Sequence, residues 1–319
     1  MRAPLITSFI LPTSLVSKFG MNDDSQHDSR SGIVSGLSAY LLWGAITIYW
    51  KLLDDFNAFD LIGWRIVTAV ALLLGLVAMQ RRLRAVGVAL RDPSLLARIA
   101  VAAVMLVINW TLYVWAVVNE HVMETALGYF IAPLFTAVIG VVVLGEPLRR
   151  LQKVALGFAV ASVAVLTIAY GRPPVIALAI ATSWAAYGLL KKQVPLRPLE
   201  SLTAETVVLV LPAAALVIWS LSRSNQMFSG ATSIEVILVL LTGLITAVPL
   251  LLFARAAQRL PLTIIGPMQY LVPVINFLLG WLAYGEPLEP SRFVGFMLVW
   301  FGLMCTFTDT MRHRTSIAA

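Results

Sequence analysis

The residue whose type and setting most invite chemistry is Arg65, which follows Gly63-Trp64 about five positions into the apolar stretch 60–79. Holding an ionised side chain within a membrane span costs about 2.5–3.5 kcal/mol on insertion scales. Such a group is kept where it faces protein or a water-filled cavity. There it serves as a fixed cation for an anionic substrate group, or pairs with a carboxylate; the competing reading is an arginine whose head snorkels to the outer interface. Glu124, just after Glu120 and His121, opens the stretch 124–144. It suits a helix N-terminus electrostatically, and it is also the acid placed to pair with Arg65 or to exchange a proton. Asn109 and Trp110 lie mid-stretch in 98–118, with Tyr113 at i+4 from Asn109, so an amide, a phenol and an indole share one helical face. They either line a cavity or simply join helices through hydrogen bonds and packing. Trp43, Tyr129, Trp184, Tyr187, Gln269 and Tyr270 are candidates of the same kind, against the alternative of interfacial anchoring.

The elements that must position these residues follow from composition. The 319 residues are 60% hydrophobic and only 12% charged, about half the charged share of a soluble domain, so lipid must solvate much of the surface. The net charge of +7 is not a nucleic-acid footprint, because the basic residues sit in short clusters between apolar runs. Cys305 is the single cysteine, which excludes an internal disulfide or a thiolate metal cluster. The three histidines, His27, His121 and His313, are too dispersed in sequence to suggest a metal site. No metal or cofactor is expected, and no nucleotide-binding loop of the G-x-x-x-x-G-K-[ST] kind occurs, so ATP is not the direct energy source.

About 20 apolar residues span a bilayer as helix. Stretches of that kind run over 33–51, 60–79, 98–118, 124–144, 152–170, 173–190, 204–221, 234–254, 263–284 and 292–308. Their continuity favours helices over a barrel. The chain therefore reads as an all-α integral membrane protein with ten transmembrane helices. With the N-terminus inside, 18 of the 23 Lys and Arg fall in inner segments, which places both termini in the cytoplasm and the protein in the cell (inner) membrane. Residues 1–32 read as a polar, disordered leader, with Met21 a candidate true start, and 309–319 as a cytoplasmic tail.

The two halves echo each other. LGEPL at 144–148 returns as YGEPL at 284–288, an offset of 140 that also relates Pro133 to Pro273. Trp43-Gly44-Ala45 ahead of Lys51 is echoed by Trp184-Ala185-Ala186 ahead of Lys192. Five spans per half, an odd number, force opposite orientations, so 33–170 and 173–308 read as two inverted five-helix repeats, a plan of secondary transporters with the site between the repeats. Glu146 and Glu286 in the two GEP motifs read as helix starts or turn formers, and Glu205 with Lys191 and Lys192 as a salt bridge or interfacial charges. Pro133, Pro212, Pro249, Pro267 and Pro273 interrupt spans and offer kinks.

Several segments carry a family resemblance: Gly63-Trp64-Arg65; Asn109-Trp110 with Tyr113 and Trp115; Glu124 with Leu127-Gly128-Tyr129-Phe130 and Pro133-Leu134; Gly145-Glu146; and Gln269-Tyr270 with Pro273 and Glu286. Over about residues 32–308 the chain resembles the EamA-type branch of the drug/metabolite transporter (DMT) superfamily, and within it the RarD proteins, named for an association with chloramphenicol sensitivity. The resemblance implies a multi-pass cytoplasmic-membrane permease without a cofactor. Together these readings favour a secondary active transporter of small organic metabolites or drugs. They are compatible with proton coupling and with a homodimer, and leave a non-transporting membrane scaffold as the alternative. An enzyme is not expected, since no catalytic constellation of His, paired Asp, or Ser with a base is in sight.

Overall fold

Helices alone account for the regular structure of the computed structural model, which describes residues 23–144, 150–222, 227–260, 265 and 268–317. Met21, the Gly145-Glu146-Pro147-Leu148 motif, Arg223 and Pro267 lie outside the described residues. The helices are α1 (Asp23–Lys51), α2 (Ala58–Met79), α3 (Leu83–Arg91), α4 (Pro93–Val118), α5 (Val122–Leu144), α6 (Arg150–Tyr170), α7 (Val175–Lys192), α8 (Pro198–Ser222), α9 (Ser233–Arg259), α10 (Leu271–Leu278, continued by a π-turn over Leu279–Ala283) and α11 (Pro290–Ile317). Among the described residues, seven stretches are long and apolar enough to cross a membrane: Arg30–Lys51, Ala58–Met79, Pro93–Val118, Arg150–Ala169, Pro198–Ser222, Ser233–Ala256 and Pro290–Asp309. Three further apolar helices are shorter, Val122–Thr136, Val175–Lys191 and Leu271–Ala283. The chain is thus an all-helical, multi-pass membrane protein. α1 begins at Asp23, inside the stretch read as a polar leader.

Local sequence explains where helices start. Asn57 accepts the Phe59 N–H ahead of α2, and Asp92 accepts from Ser94 and Leu95 with Pro93 at the first turn of α4. Thr232 and Glu235 form a reciprocal capping box on α9, satisfying donors that a helix N-terminus leaves open. α3 was not expected from hydropathy. It is a short amphipathic helix that buries Val86 and Ala89 and keeps Arg84 and Arg91 outward.

Glycines let the helices approach. A Cβ on Gly243 of α9 would fall 2.5 Å from backbone atoms of Thr68 and Ala69 on α2, and one on Gly128 of α5 would meet the Ala177 carbonyl oxygen of α7 at 2.9 Å. Close backbone contact at small residues is a main source of helix association where the solvent is itself apolar. α6 and α11 pack on one another, with Ser162 donating to the Gly295 carbonyl at 2.9 Å. The remaining long helices form a bundle in which α1 meets α9 and α10, α2 meets α8 and α9, and α7 meets α4 and α5.

Candidate functional site

Arg65 lies at the centre of this bundle and is only 6% exposed. Its Nε donates to Thr246 Oγ1 of α9 at 2.9 Å, and its guanidinium carbon sits 4.0 Å from the Trp110 ring centroid and 5.3 Å from that of Trp50. Nη1 is buried and has no hydrogen-bond partner among the described residues. Arg65 therefore does not snorkel. It is a desolvated cation held by aromatic faces, a setting in which a cation–π contact reaches about 2 kcal/mol. The expected pairing with Glu124 is not formed. No carboxylate among the described residues lies within ion-pair distance of Arg65.

Two polar networks flank it. Asn109 of α4 donates from Nδ2 to the Ile180 carbonyl and to Ser183 Oγ of α7, both at 3.1 Å, and accepts from the Tyr129 hydroxyl of α5 at 3.1 Å. Tyr113 shares a 2.7 Å bond with Thr47 of α1, Thr47 donates to Asn276 Oδ1 of α10 at 2.7 Å, and Asn276 Nδ2 donates to Thr125 of α5 at 3.2 Å. Tyr113 and Tyr129 meet edge to face with centroids 5.9 Å apart. Seven helices, α1, α2, α4, α5, α7, α9 and α10, thus meet through Arg65, Asn109, Trp110, Tyr113, Tyr129 and their partners. Asn276, Thr47 and Thr246, all buried polar residues, complete the set and were not singled out from sequence. Asn276 carried a usable signal, an amide inside the apolar run Leu271–Leu278.

The other candidates lie elsewhere. Trp43 packs with Tyr40 and Phe253, centroids 5.3 and 5.6 Å away, between α1 and α9. Gln269 and Tyr270 form a turn ahead of α10, with Gln269 exposed. Trp184 bridges towards the centre, 6.1 Å from Tyr129 and 5.8 Å from Tyr187. Glu124 lines a separate cleft of about 180 Å³ with Trp115, His121, Leu127, Arg172, Arg292 and Phe296.

Beside that cleft Glu286 accepts the N–H groups of Val122 and Met123 at 2.5 and 2.9 Å. It caps α5, a helix 164 residues earlier, instead of starting one locally. The turn that aims it needs Gly285, whose φ is +65°, a conformation costly for any residue with a Cβ. Burial raises the Glu286 carboxyl above its ordinary range, against the opposing pull of the two backbone N–H groups and of Arg292 and His121. Among the described residues no cluster of three His, Cys, Asp or Glu offers a metal site.

The chain is thus an all-helical membrane bundle whose interior holds a buried arginine among aromatic rings and polar networks. The EamA-like transporter family matches residues 30–168 and again 173–308, and the chain belongs to that family. Its relatives place it with the RarD-type permeases of the DMT superfamily. It is 44% identical over 289 residues to Protein RarD of Streptomyces exfoliatus, covering 90% of this chain and 91% of that one. It is 33% identical over 287 residues to an uncharacterized transporter of Vibrio cholerae, covering 90% and 95%. A solved crystal structure shares the fold at a TM-score of 0.53 and 18% identity, covering 86% of this chain and 96% of its own.

Proposed function

We propose that the chain is a secondary active permease for small organic molecules bearing an anionic group, working by alternating access between two inverted five-helix repeats in ten spans. The observation that carries this reading is the buried Arg65, desolvated between Trp50 and Trp110 with Nη1 unpartnered. A charge kept there without a counter-ion costs several kcal/mol, a cost that a substrate carboxylate offsets when it binds. Tyr113, Tyr129, Trp110 and Asn109 then supply aromatic faces and an amide around the rest of the ligand.

The inverted repeat is supported by how the helices pair. Exchanging the halves carries α1 into α7, α2 into α8, α4 into α9, α5 into α10 and α6 into α11. Under that exchange the α5–α7 contact becomes α10–α1, α4–α7 becomes α9–α1, and α4–α8 becomes α9–α2, while α2–α8, α5–α10 and α6–α11 map onto themselves; all of these pairs occur. Two conformations related by that exchange are close in energy, which is what alternating access requires. The bias of Lys and Arg towards alternate loops supports an inner-membrane placement with both termini cytoplasmic.

A thermal-shift screen of carboxylate metabolites and amphenicol-type compounds on detergent-purified wild type and Arg65→Ala tests the reading. A compound that stabilises wild type alone identifies the substrate class. Equal stabilisation of both proteins removes Arg65 from the site, and no stabilising compound at all turns the reading towards a membrane scaffold.

A further inference from the structure

The sequence placed Glu205 at the margin of a span; the structure buries it completely. It lies seven residues into α8 from Pro198, roughly 10 Å at 1.5 Å per residue, and is 0% exposed. Lys191 Nζ donates to its Oε1 at 2.5 Å, Ser201 Oγ to Oε1 at 2.9 Å and the Tyr187 hydroxyl to Oε2 at 3.1 Å. No other acid within a described span is so enclosed and so fully paired with a lysine. Glu124 opens onto the cleft and the buried Glu200 is held by Arg82 nearer the end of α8.

The partners are arranged in a line. Ser183, Tyr187 and Lys191 are spaced i, i+4, i+8 along α7 and so lie on one stripe, as do Ser201 and Glu205 on α8. Ser183 is bonded by Asn109, and Tyr187 stacks on Trp184, which meets Tyr129. One face of α7 therefore connects the Arg65 site to Glu205. We propose that Glu205 is the proton-binding carboxylate of the transport cycle, with Lys191 and a proton competing for it. This rests on the transport reading above.

Competition follows from burial. A carboxylate sealed in a span must be neutralised, either by a cation or by a proton. With α7 and α8 closed, Lys191 does so. When the end of α7 moves away, the Lys191 ammonium keeps its own proton and passes to water. Glu205 then takes one proton from cytoplasmic water onto a carboxylate oxygen, and no other bond changes. Closure returns that proton to water. The other charges nearby are engaged or turned to solvent: Arg82 binds Glu200, Arg98 of α4 reaches the Gln193 carbonyl, Arg197 is exposed, and α3, which packs on α8, keeps Arg84 and Arg91 exposed. α2 carries no titratable side chain between Arg65 and Arg81, α4 none between Arg98 and Tyr113, and α9 none between Glu235 and Arg255. The competition thus concerns Glu205 and Lys191, with Tyr187 as a neutral donor.

The test needs no substrate. In a Cys305→Ser background, the buried Ala204 is changed to Cys, and labelling by a membrane-impermeant maleimide is followed from the cytoplasmic face of inside-out vesicles. The ratio of labelling rates, Glu205→Gln over the unmodified Glu205 protein, cancels the thiol's own pH dependence. Losing the charged pair should raise that ratio about tenfold at mildly alkaline pH, and the ratio should converge on one at mildly acidic pH, where a proton has already replaced Lys191. A ratio that stays at one, or stays high without converging, overturns the proposal; the latter makes the pair a purely structural clamp. If Glu205→Gln does not fold, Tyr187→Phe serves instead. Removing one donor favours the protonated carboxyl, so its labelling should exceed that of the unmodified protein at neutral pH, and equal labelling overturns the proposal. Failure here leaves ligand stabilisation through Arg65 untouched, whereas a converging ratio with no stabilising ligand would leave the proton site standing and sink transport.

Discussion

Replacing Arg65 by Met separates a residue kept for binding from one kept for structure. The change removes the contact with Trp110, about 2 kcal/mol when desolvated, and the charged hydrogen bond to Thr246, about 1.5–3 kcal/mol. It also removes the desolvation of a guanidinium whose Nη1 has no partner, a penalty of several kcal/mol, while a methionine of similar length keeps the aromatic packing. The opposing terms nearly cancel, so stability should change by no more than about 2 kcal/mol in either direction, or within roughly 5 °C in Tm. The assay is thermal unfolding of purified Arg65→Met beside wild type, without and with the stabilising compound. The expected result is a small shift without ligand and loss of the ligand-induced shift. A fall of about 10 °C or more without ligand would refute the reasoning, because it would make the cation a net structural element.

The remaining predictions concern the elements that hold the site. Gly243→Ala forces a methyl to within 2.5 Å of the α2 backbone and should cost at least about 1–3 kcal/mol by overpacking, whereas Gly75→Ala, with open space around it, should be neutral; parallel melting curves check both. Asn276→Ala removes bonds to Thr47 and Thr125 and should destabilise by about 1–3 kcal/mol, measured as a lowered Tm. Glu286→Gln leaves one of the α5 amide groups without its acceptor, at about 1–3 kcal/mol. Because burial raises the Glu286 carboxyl, the folded chain binds that proton more tightly than the unfolded chain does. Its contribution to stability is therefore fullest below the ordinary carboxylate range and is lost as pH rises through the raised value. Glu286→Gln should flatten that part of the Tm-against-pH curve.

Much of the helical framework was legible because lipid imposes a simple rule: long apolar runs mark helices, and ionisable residues within them are rare. That rule also exposed Arg65, and the i, i+4 spacing drew Asn109 and Tyr113 together. Distances across the bundle were not legible. Thr47 and Thr246 look like ordinary small polar residues until α1 and α9 bring them to Tyr113 and Arg65. The salt bridge of Glu205 with Lys191 was legible, but its complete burial was not, because the apolar run was read from residue 204, whereas the helix begins at Pro198 and buries Glu200, Ser201 and Thr203 as well. Gln269 and Tyr270 were read as lying within a continuous span, yet they form the turn before α10. Glu286 was read locally, whereas its partners are the Val122 and Met123 amides of the first half, a pairing that only the folded chain creates.

Transport itself is the claim to measure most directly. The compound that stabilises wild type is to be radiolabelled and its counterflow followed in liposomes reconstituted with wild type or with Arg65→Met, both shown to be folded. The account predicts accumulation in wild-type vesicles and the level of protein-free vesicles with Arg65→Met. Equal accumulation with both proteins would contradict it, because the buried cation would then have no part in recognising what crosses the membrane.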